Sequence, residues 1–289
     1  MLLPRKDFCE NEMNYPGIEN DHLRITVDPA HGGRIIGFLD KLRGTEQLWY
    51  DPSRLPVNPE LDYDGNFAGG IDELLPNDPP EEGFPDHGEL WTLPLNCKPE
   101  RGELLLDGKL PLSGLSYHRK MHLEGNSLIA EYQIENTAVH SLDFLWKPHA
   151  ALQIECGDAL DVPAQCVQAA DPANWSKASH GMPCQWMGKY TVPEMDGSSD
   201  FFYLTGLTGN EIRLTRRDGT VFCCRFDPAI FRCVWIFASF GRLNGSRTLI
   251  MEPCTNYPGT LAEARRSKVC ASLNPGESIH TTVKWAILH

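Results

Sequence analysis

Leu128-Ile129-Ala130-Glu131-Tyr132-Gln133-Ile134-Glu135 sets Leu128, Ala130, Tyr132 and Ile134 on one face and Glu131, Gln133 and Glu135 on the other. Successive side chains of an extended strand point to opposite sides, so this two-residue period predicts a half-buried strand. The pattern returns near the C-terminus, where Ile279, Thr281, Val283, Trp285 and Ile287 alternate with His280, Thr282 and Lys284. Turn signals separate such runs at Asp107-Gly108, Gly125-Asn126, Gly209-Asn210, Asp218-Gly219, Asn244-Gly245 and Asn274-Pro275-Gly276. Glycine and asparagine tolerate the positive φ that tight turns need. The best individual hairpin joins 211–217 to 220–226 through Asp218-Gly219. Only 261–268 reads clearly as a helix. The expected fold is all-β, a large antiparallel β-sandwich with one or two short helices.

The 289 residues are 41% hydrophobic and 22% charged, which suits a globular chain with a sizeable core. Residues 1–20 read as an N-terminal extension and 21–289 as a single sandwich domain. The formal net charge of -13 repels phosphate backbones, and lysine and arginine form no run longer than a short pair such as Arg265-Arg266, so nucleic acid is not an expected partner. A neutral or weakly polar substrate fits better, although charge alone does not exclude a phosphosugar. Only Leu2 and Leu3 form an apolar start, so no signal-peptide core is visible and a cytoplasmic location is expected. The strongest apolar run, 234–240, is far short of the roughly 20 residues that span a membrane. The ten cysteines contain no CxxC pair and read as reduced, mostly buried thiols. Adjacent Cys223 and Cys224 would point to opposite faces of a strand, which argues against a bond between them.

Residues 51–94 break the pattern. Pro52, Pro56, Pro59, Pro76, Pro79, Pro80, Pro85 and Pro94 fall among acidic residues and glycines, a spacing that predicts no strand. Phe67, Ile71, Leu74, Leu75 and Phe84 give the segment something to bury, so it reads as an ordered loop covering a site. Near its end stands Asp86-His87-Gly88-Glu89-Leu90-Trp91. A polar motif on such a loop commonly serves a ligand, though His87 could equally cap a turn.

Several chemistries are excluded by the residues themselves. There is no G-x-S-x-G elbow, no catalytic cysteine signature and no phosphate-binding glycine loop; Gly32-Gly33 and Gly69-Gly70 read as turns. His118 and His122 have the spacing of helical zinc ligands, but their context is a strand, which puts them roughly 13 Å apart. Metal bonds of about 2 Å cannot span that gap. His149 lies in the apolar run 142–155, where Lys147-Pro148 implies an edge or a bulge able to aim the next side chain. It reads either as a site residue or as a hydrogen-bonded core histidine. Glu252 ends the apolar run Leu249-Ile250-Met251, as a buried carboxylate or a salt bridge on the rim.

Taken in order, Gly32-Gly33-Arg34-Ile35, Gly70-Ile71-Asp72-Glu73-Leu74-Leu75-Pro76, the Asp86 to Trp91 motif, Trp146-Lys147-Pro148-His149 and Met251-Glu252-Pro253 resemble the galactose mutarotase-like superfamily. The likeness is to the shorter bacterial aldose 1-epimerase-like branch and covers nearly the whole chain. It implies a β-supersandwich that interconverts the α and β anomers of a free sugar by opening and reclosing its ring. By the same resemblance Glu252 is the base at the anomeric hydroxyl and His149 the acid at the ring oxygen. His87 matches a sugar-binding histidine and Asp200 an aspartate that grips ring hydroxyls. Arg34, Asp72, Glu73, Trp91 and Tyr257 complete the expected binding set, with Trp91, Trp146 or Tyr257 as stacking surfaces. Proton transfer alone suffices, so the reading needs no metal and no cofactor. Its only partner is a small-molecule sugar, with the protein as a monomer or homodimer. Well-known galactose mutarotases carry Asn-His-Thr-Tyr-Phe-Asn-Leu where this chain has Lys147-Pro148-His149-Ala150-Ala151-Leu152. That departure puts galactose in doubt, and Lys147, if it faces the pocket, would favour an acidic or phosphorylated sugar. A non-catalytic carbohydrate-binding or regulatory protein on the same fold is the alternative, because binding does not require His149 and Glu252 to converge.

Overall fold

The structure is a computed structural model and describes residues 15–170 and 183–289. Among these, two large antiparallel sheets of eleven and nine strands hold nearly all the regular structure, and a two-stranded ribbon pairs Leu142–Phe144 with Ala271–Leu273. The alternating runs are strands as expected. Ser127–Asn136 and Ser278–Leu288 pair with each other in the centre of the nine-stranded sheet. The hairpin forms from Glu211–Thr215 and Val221–Arg225. Among the described residues, helix is limited to Tyr63–Asn66 and Leu261–Arg266, besides two short 3-10 turns. No described helix is long and apolar enough to cross a membrane.

The central strands of the larger sheet run in the order Arg34–Asp40, Ile71–Leu74, Lys147–Gln153, Arg247–Cys254, Cys233–Phe240, Ser199–Thr205. Their inner face, carrying Ile71, Ala150, Leu152, Leu249, Met251, Val234, Ile236, Phe202 and Leu204, packs on the nine-stranded sheet to make the main core. Fully burying each larger apolar side chain contributes about 1.5–3 kcal/mol. The outer face is covered too. Tyr63, Phe67 and Trp91 from the proline-rich segment pack on Leu74, Ala151 and Ile250, and Leu261 packs on Cys233, Trp235 and Cys254. With both faces covered, these strands are buried almost throughout, which hides the two-residue period in the sequence.

One expectation needs correction. The segment 51–94 contains a strand after all: Ile71–Leu74 lies in the middle of the larger sheet, between Arg34–Asp40 and Lys147–Gln153. No proline falls between Pro59 and Pro76, and four residues suffice for a strand held on both sides. Sheet pairing also begins at Gly17–Glu19, inside the stretch read as an extension. Residues 1–14 of that stretch lie outside the described residues. Nine described cysteines are free thiols, including Cys223 and Cys224.

Candidate active site

Strand parity decides which side chains meet. Asp72 is the register partner of His149. The pairing of Ala150 with Met251, continued by the bond from Thr255 N to Trp146 O at 3.1 Å, sets His149 opposite Glu252. Glu252 pairs with Trp235, Trp235 with Tyr203, and Tyr203 with Gln168. Direct partners in antiparallel strands point to the same side. One row of the outer face therefore reads Asp72, His149, Glu252, Trp235, Tyr203, Gln168, at about 4.8 Å per strand.

At one end of the row, His149 Nδ1 lies 2.9 Å from Asp72 Oδ1 and 3.2 Å from the Tyr63 hydroxyl. That hydroxyl donates to Asp72 Oδ2 at 2.8 Å. Arg34 Nη2 sits 3.1 Å from the same oxygen, and Arg34 Nη1 donates to Gly69 O at 2.6 Å. Burial works against the Asp72 carboxylate, but Arg34 and His149 outweigh it and bring its pKa down to about 2. With Nδ1 committed to a carboxylate, the free edge of His149 is Nε2, which has no hydrogen bond among the described residues. Tyr63 and Phe67 stand edge-on to the imidazole.

At the centre, Glu252 Oε2 is 2.6 Å from Lys147 Nζ. The ammonium also contacts Asp78 Oδ1 at 2.7 Å and lies 4.1 Å from the centre of the Trp235 ring. Burial lowers the basicity of Lys147, but Asp78 and Glu252 prevail and raise its pKa well above that of a free lysine. Beyond Trp235 the wall continues through Tyr203 to Tyr257, whose hydroxyl donates to Gln168 Oε1.

The loop motif closes the cluster from above. His87 has φ +59 and stacks on Tyr63, with ring centres 4.0 Å apart and planes 9° apart. Its Nδ1 is 2.8 Å from Asp86 Oδ1, and its Nε2 is 3.6 Å from Asp78 Oδ1. Burial disfavours the imidazolium, yet the carboxylates of Asp78 and Asp86 raise the His87 pKa above the ordinary histidine value. Gly88 follows with φ +79, where a Cβ would lie 2.1 Å from Leu75 O, so only glycine fits. Glu89 accepts from the amides of Leu112 and Ser113 and ties the motif to the second sheet's approach.

Of the residues expected at a site, His149, Glu252, His87, Asp72 and Arg34 converge, with Arg34 behind Asp72. Tyr257 stands on the aromatic wall. Trp91 is only 6% exposed, packs edge-on to Tyr63 and donates to Asp86 O, so it supports the loop from beneath and offers no free stacking surface. Trp146 is likewise buried, donating to Glu73 Oε2. Glu73 faces the opposite way from Asp72, into the core, where it meets the Tyr132 hydroxyl at 2.7 Å and Arg119 at 3.3 Å. Asp200 is three residues from Tyr203 and so on the inner face, accepting from the Tyr190 hydroxyl. It is not brought to this cluster. His118 and His122 lie on the strand Leu115–Glu124, paired with Asp107 and with Glu124 and Glu131.

The binding list read from sequence lacked Tyr63, Asp78, Lys147, Trp235 and Tyr203. For Lys147 a signal existed, since it stands two residues before His149 in one strand and shares its face. A cavity of about 850 Å³ holds none of the cluster. It lies toward the far end of Lys147–Gln153, lined by Gln47, Trp49, Gln153, Asp158, Arg216 and Arg247.

No protein-family model and no curated protein matches the chain. Solved structures do match. The Slr1438 protein from Synechocystis sp. PCC 6803 is 17% identical with a TM-score of 0.77, covering 99% of each chain. A candidate aldose 1-epimerase from Escherichia coli K12 is 16% identical with a TM-score of 0.72, over 95% of this chain and 99% of that one. A galactose mutarotase-like protein from Lactobacillus casei is 11% identical with a TM-score of 0.71, over 95% and 100%. Identities this low speak to architecture and leave activity to the site. The resemblance read from the motifs is borne out at the level of the fold: this chain has the galactose mutarotase-like fold.

Proposed function

We propose that the protein is an aldose 1-epimerase-like mutarotase, with Glu252 as base and His149 as acid. The observation that supports this most directly is their opposition in register on one covered face, Glu252 held by Lys147 and His149 by Asp72. Two proton-transfer groups on adjacent strands can flank the anomeric carbon and the ring oxygen of one sugar. Glu252 removes the proton of the anomeric hydroxyl, the C1–O5 bond breaks as the carbonyl forms, and His149 delivers a proton to O5 through Nε2. Rotation about C1–C2 presents the other face of the aldehyde, and the same transfers in reverse close the ring. Each positioned acid or base contributes about 10²–10⁴-fold.

His87 and Asp78, with side chains 21% and 15% exposed, are the groups we assign to the ring hydroxyls. The Trp235, Tyr203 and Tyr257 wall offers an aromatic surface to an apolar sugar face. Polarimetry on a panel of freshly dissolved α-aldoses tests the reading. The expected result is faster approach to anomeric equilibrium, abolished by Glu252→Gln and by His149→Asn in folded protein. If no aldose equilibrates faster than in buffer, catalysis is refuted. Calorimetric sugar binding in that case would support the non-catalytic alternative.

A further inference from the structure

Among the described residues Lys147 is the lysine that contacts the outer row, and the proton transfers just proposed do not pass through it. It is 2% exposed, and its ammonium is shared between Glu252 at 2.6 Å, Asp78 at 2.7 Å and the face of Trp235. An ammonium in ion-pair contact with two carboxylates and set over a ring has little charge left for a ligand. We propose that Lys147 is the positioning residue of the base: it clamps Glu252 Oε2 against the loop carboxylate Asp78, fixing which oxygen of Glu252 meets the sugar. This rests on the mutarotase reading and deepens it.

The geometry favours positioning over anion capture. A lysine that receives a phosphate or carboxylate must have its charge uncommitted, whereas this one is flanked by two carboxylates. Among the described residues, the other charged or titratable groups facing the pair are His149 and Asp72 on the row, Tyr63 and His87 above it, Tyr203 beside Trp235, and Cys254 next to Glu252. None supplies a second free cation. The clamp also spans two parts of the chain, because Asp78 belongs to the loop that carries His87, while Glu252 and Lys147 belong to the sheet. Seating the loop and aligning the base are thereby one event.

The test is Lys147→Met, with Lys147→Met/Asp78→Asn as the variant that also removes the facing carboxylate should the single variant fold poorly. Positioning predicts that kcat on the best aldose falls about 10²-fold in both, while KM of the single variant stays near that of the parent protein. A crystal structure of either variant should show the Glu252 carboxylate displaced. An unmoved Glu252 overturns the proposal whether or not any sugar is turned over, which separates it from the mutarotase reading. Full activity of the double variant overturns it too, since Lys147 would then only neutralise Asp78. So would a rise in KM confined to phosphorylated sugars, which would make Lys147 an anion receptor.

Discussion

Asp72 Oδ1 lies 2.9 Å from His149 Nδ1, and the two residues are register partners on adjacent strands. The next residue, Glu73, faces the other side of the same sheet and meets Arg119, Tyr132 and Trp146 in the core. Two neighbouring acids thus do unrelated work, one orienting a histidine and one stitching two sheets together.

Asp72→Asn removes the carboxylate that fixes His149 and leaves Arg34 buried beside a neutral group. Anomerisation should slow about 10²-fold through misplacement of the imidazole. Stability should fall by about 3–5 kcal/mol, the usual loss on breaking a buried pair. Polarimetry and urea unfolding read the two effects separately, and an unchanged rate would remove Asp72 from the site.

Glu73→Gln should separate the same quantities differently. It strands Arg119 in the core at a similar cost, about 3–5 kcal/mol, while KM and kcat of the folded fraction stay at parent values. A selective loss of sugar affinity would return Glu73 to the binding set.

Asp200→Asn is expected to leave sugar affinity unchanged, because that carboxylate sits on the inner face with Tyr190. Isothermal calorimetry with the best aldose decides the matter. Weakened binding without loss of stability would show that Asp200 reaches the sugar.

The His87 pKa is raised in the fold: burial opposes the charge, but Asp78 and Asp86 favour it more. Protonated His87 therefore stabilises the folded loop fully below the free histidine value of about 6.5, and that contribution is lost as pH rises through the raised value. Asp78 behaves oppositely. Burial raises it, Lys147 and His87 lower it further, and its contribution disappears as pH falls through the depressed value. The Tm difference between the parent protein and His87→Gln should shrink as pH rises above the free histidine value of about 6.5 and through the raised one. A constant difference would mean that the His87 charge plays no part in seating the loop.

Legibility followed burial. Strands with one wet face, such as Ser127–Asn136, announced themselves because polar residues mark alternate positions. Ile71–Leu74 did not, because all four residues are buried and the prolines around it dominate the local reading. At the site, the residue types of His149, Glu252 and His87 stood out in their motifs. Asp78 and Tyr63 belonged to no motif in the proline-rich segment, and only folding brought them to Lys147 and His149.

What the sequence determined by itself is local: the two-residue period, the turns, and the order of motifs that points to a mutarotase-like sandwich. Parity within a strand is also local, so Lys147 and His149 had to share a face. Which strands lie side by side, and which face a covered strand turns to the core, depend on contacts between residues far apart in the chain. Only the tertiary structure therefore decided that Asp72 meets His149, that Glu73 and Asp200 turn inward, and that Lys147 is committed to Glu252 and Asp78.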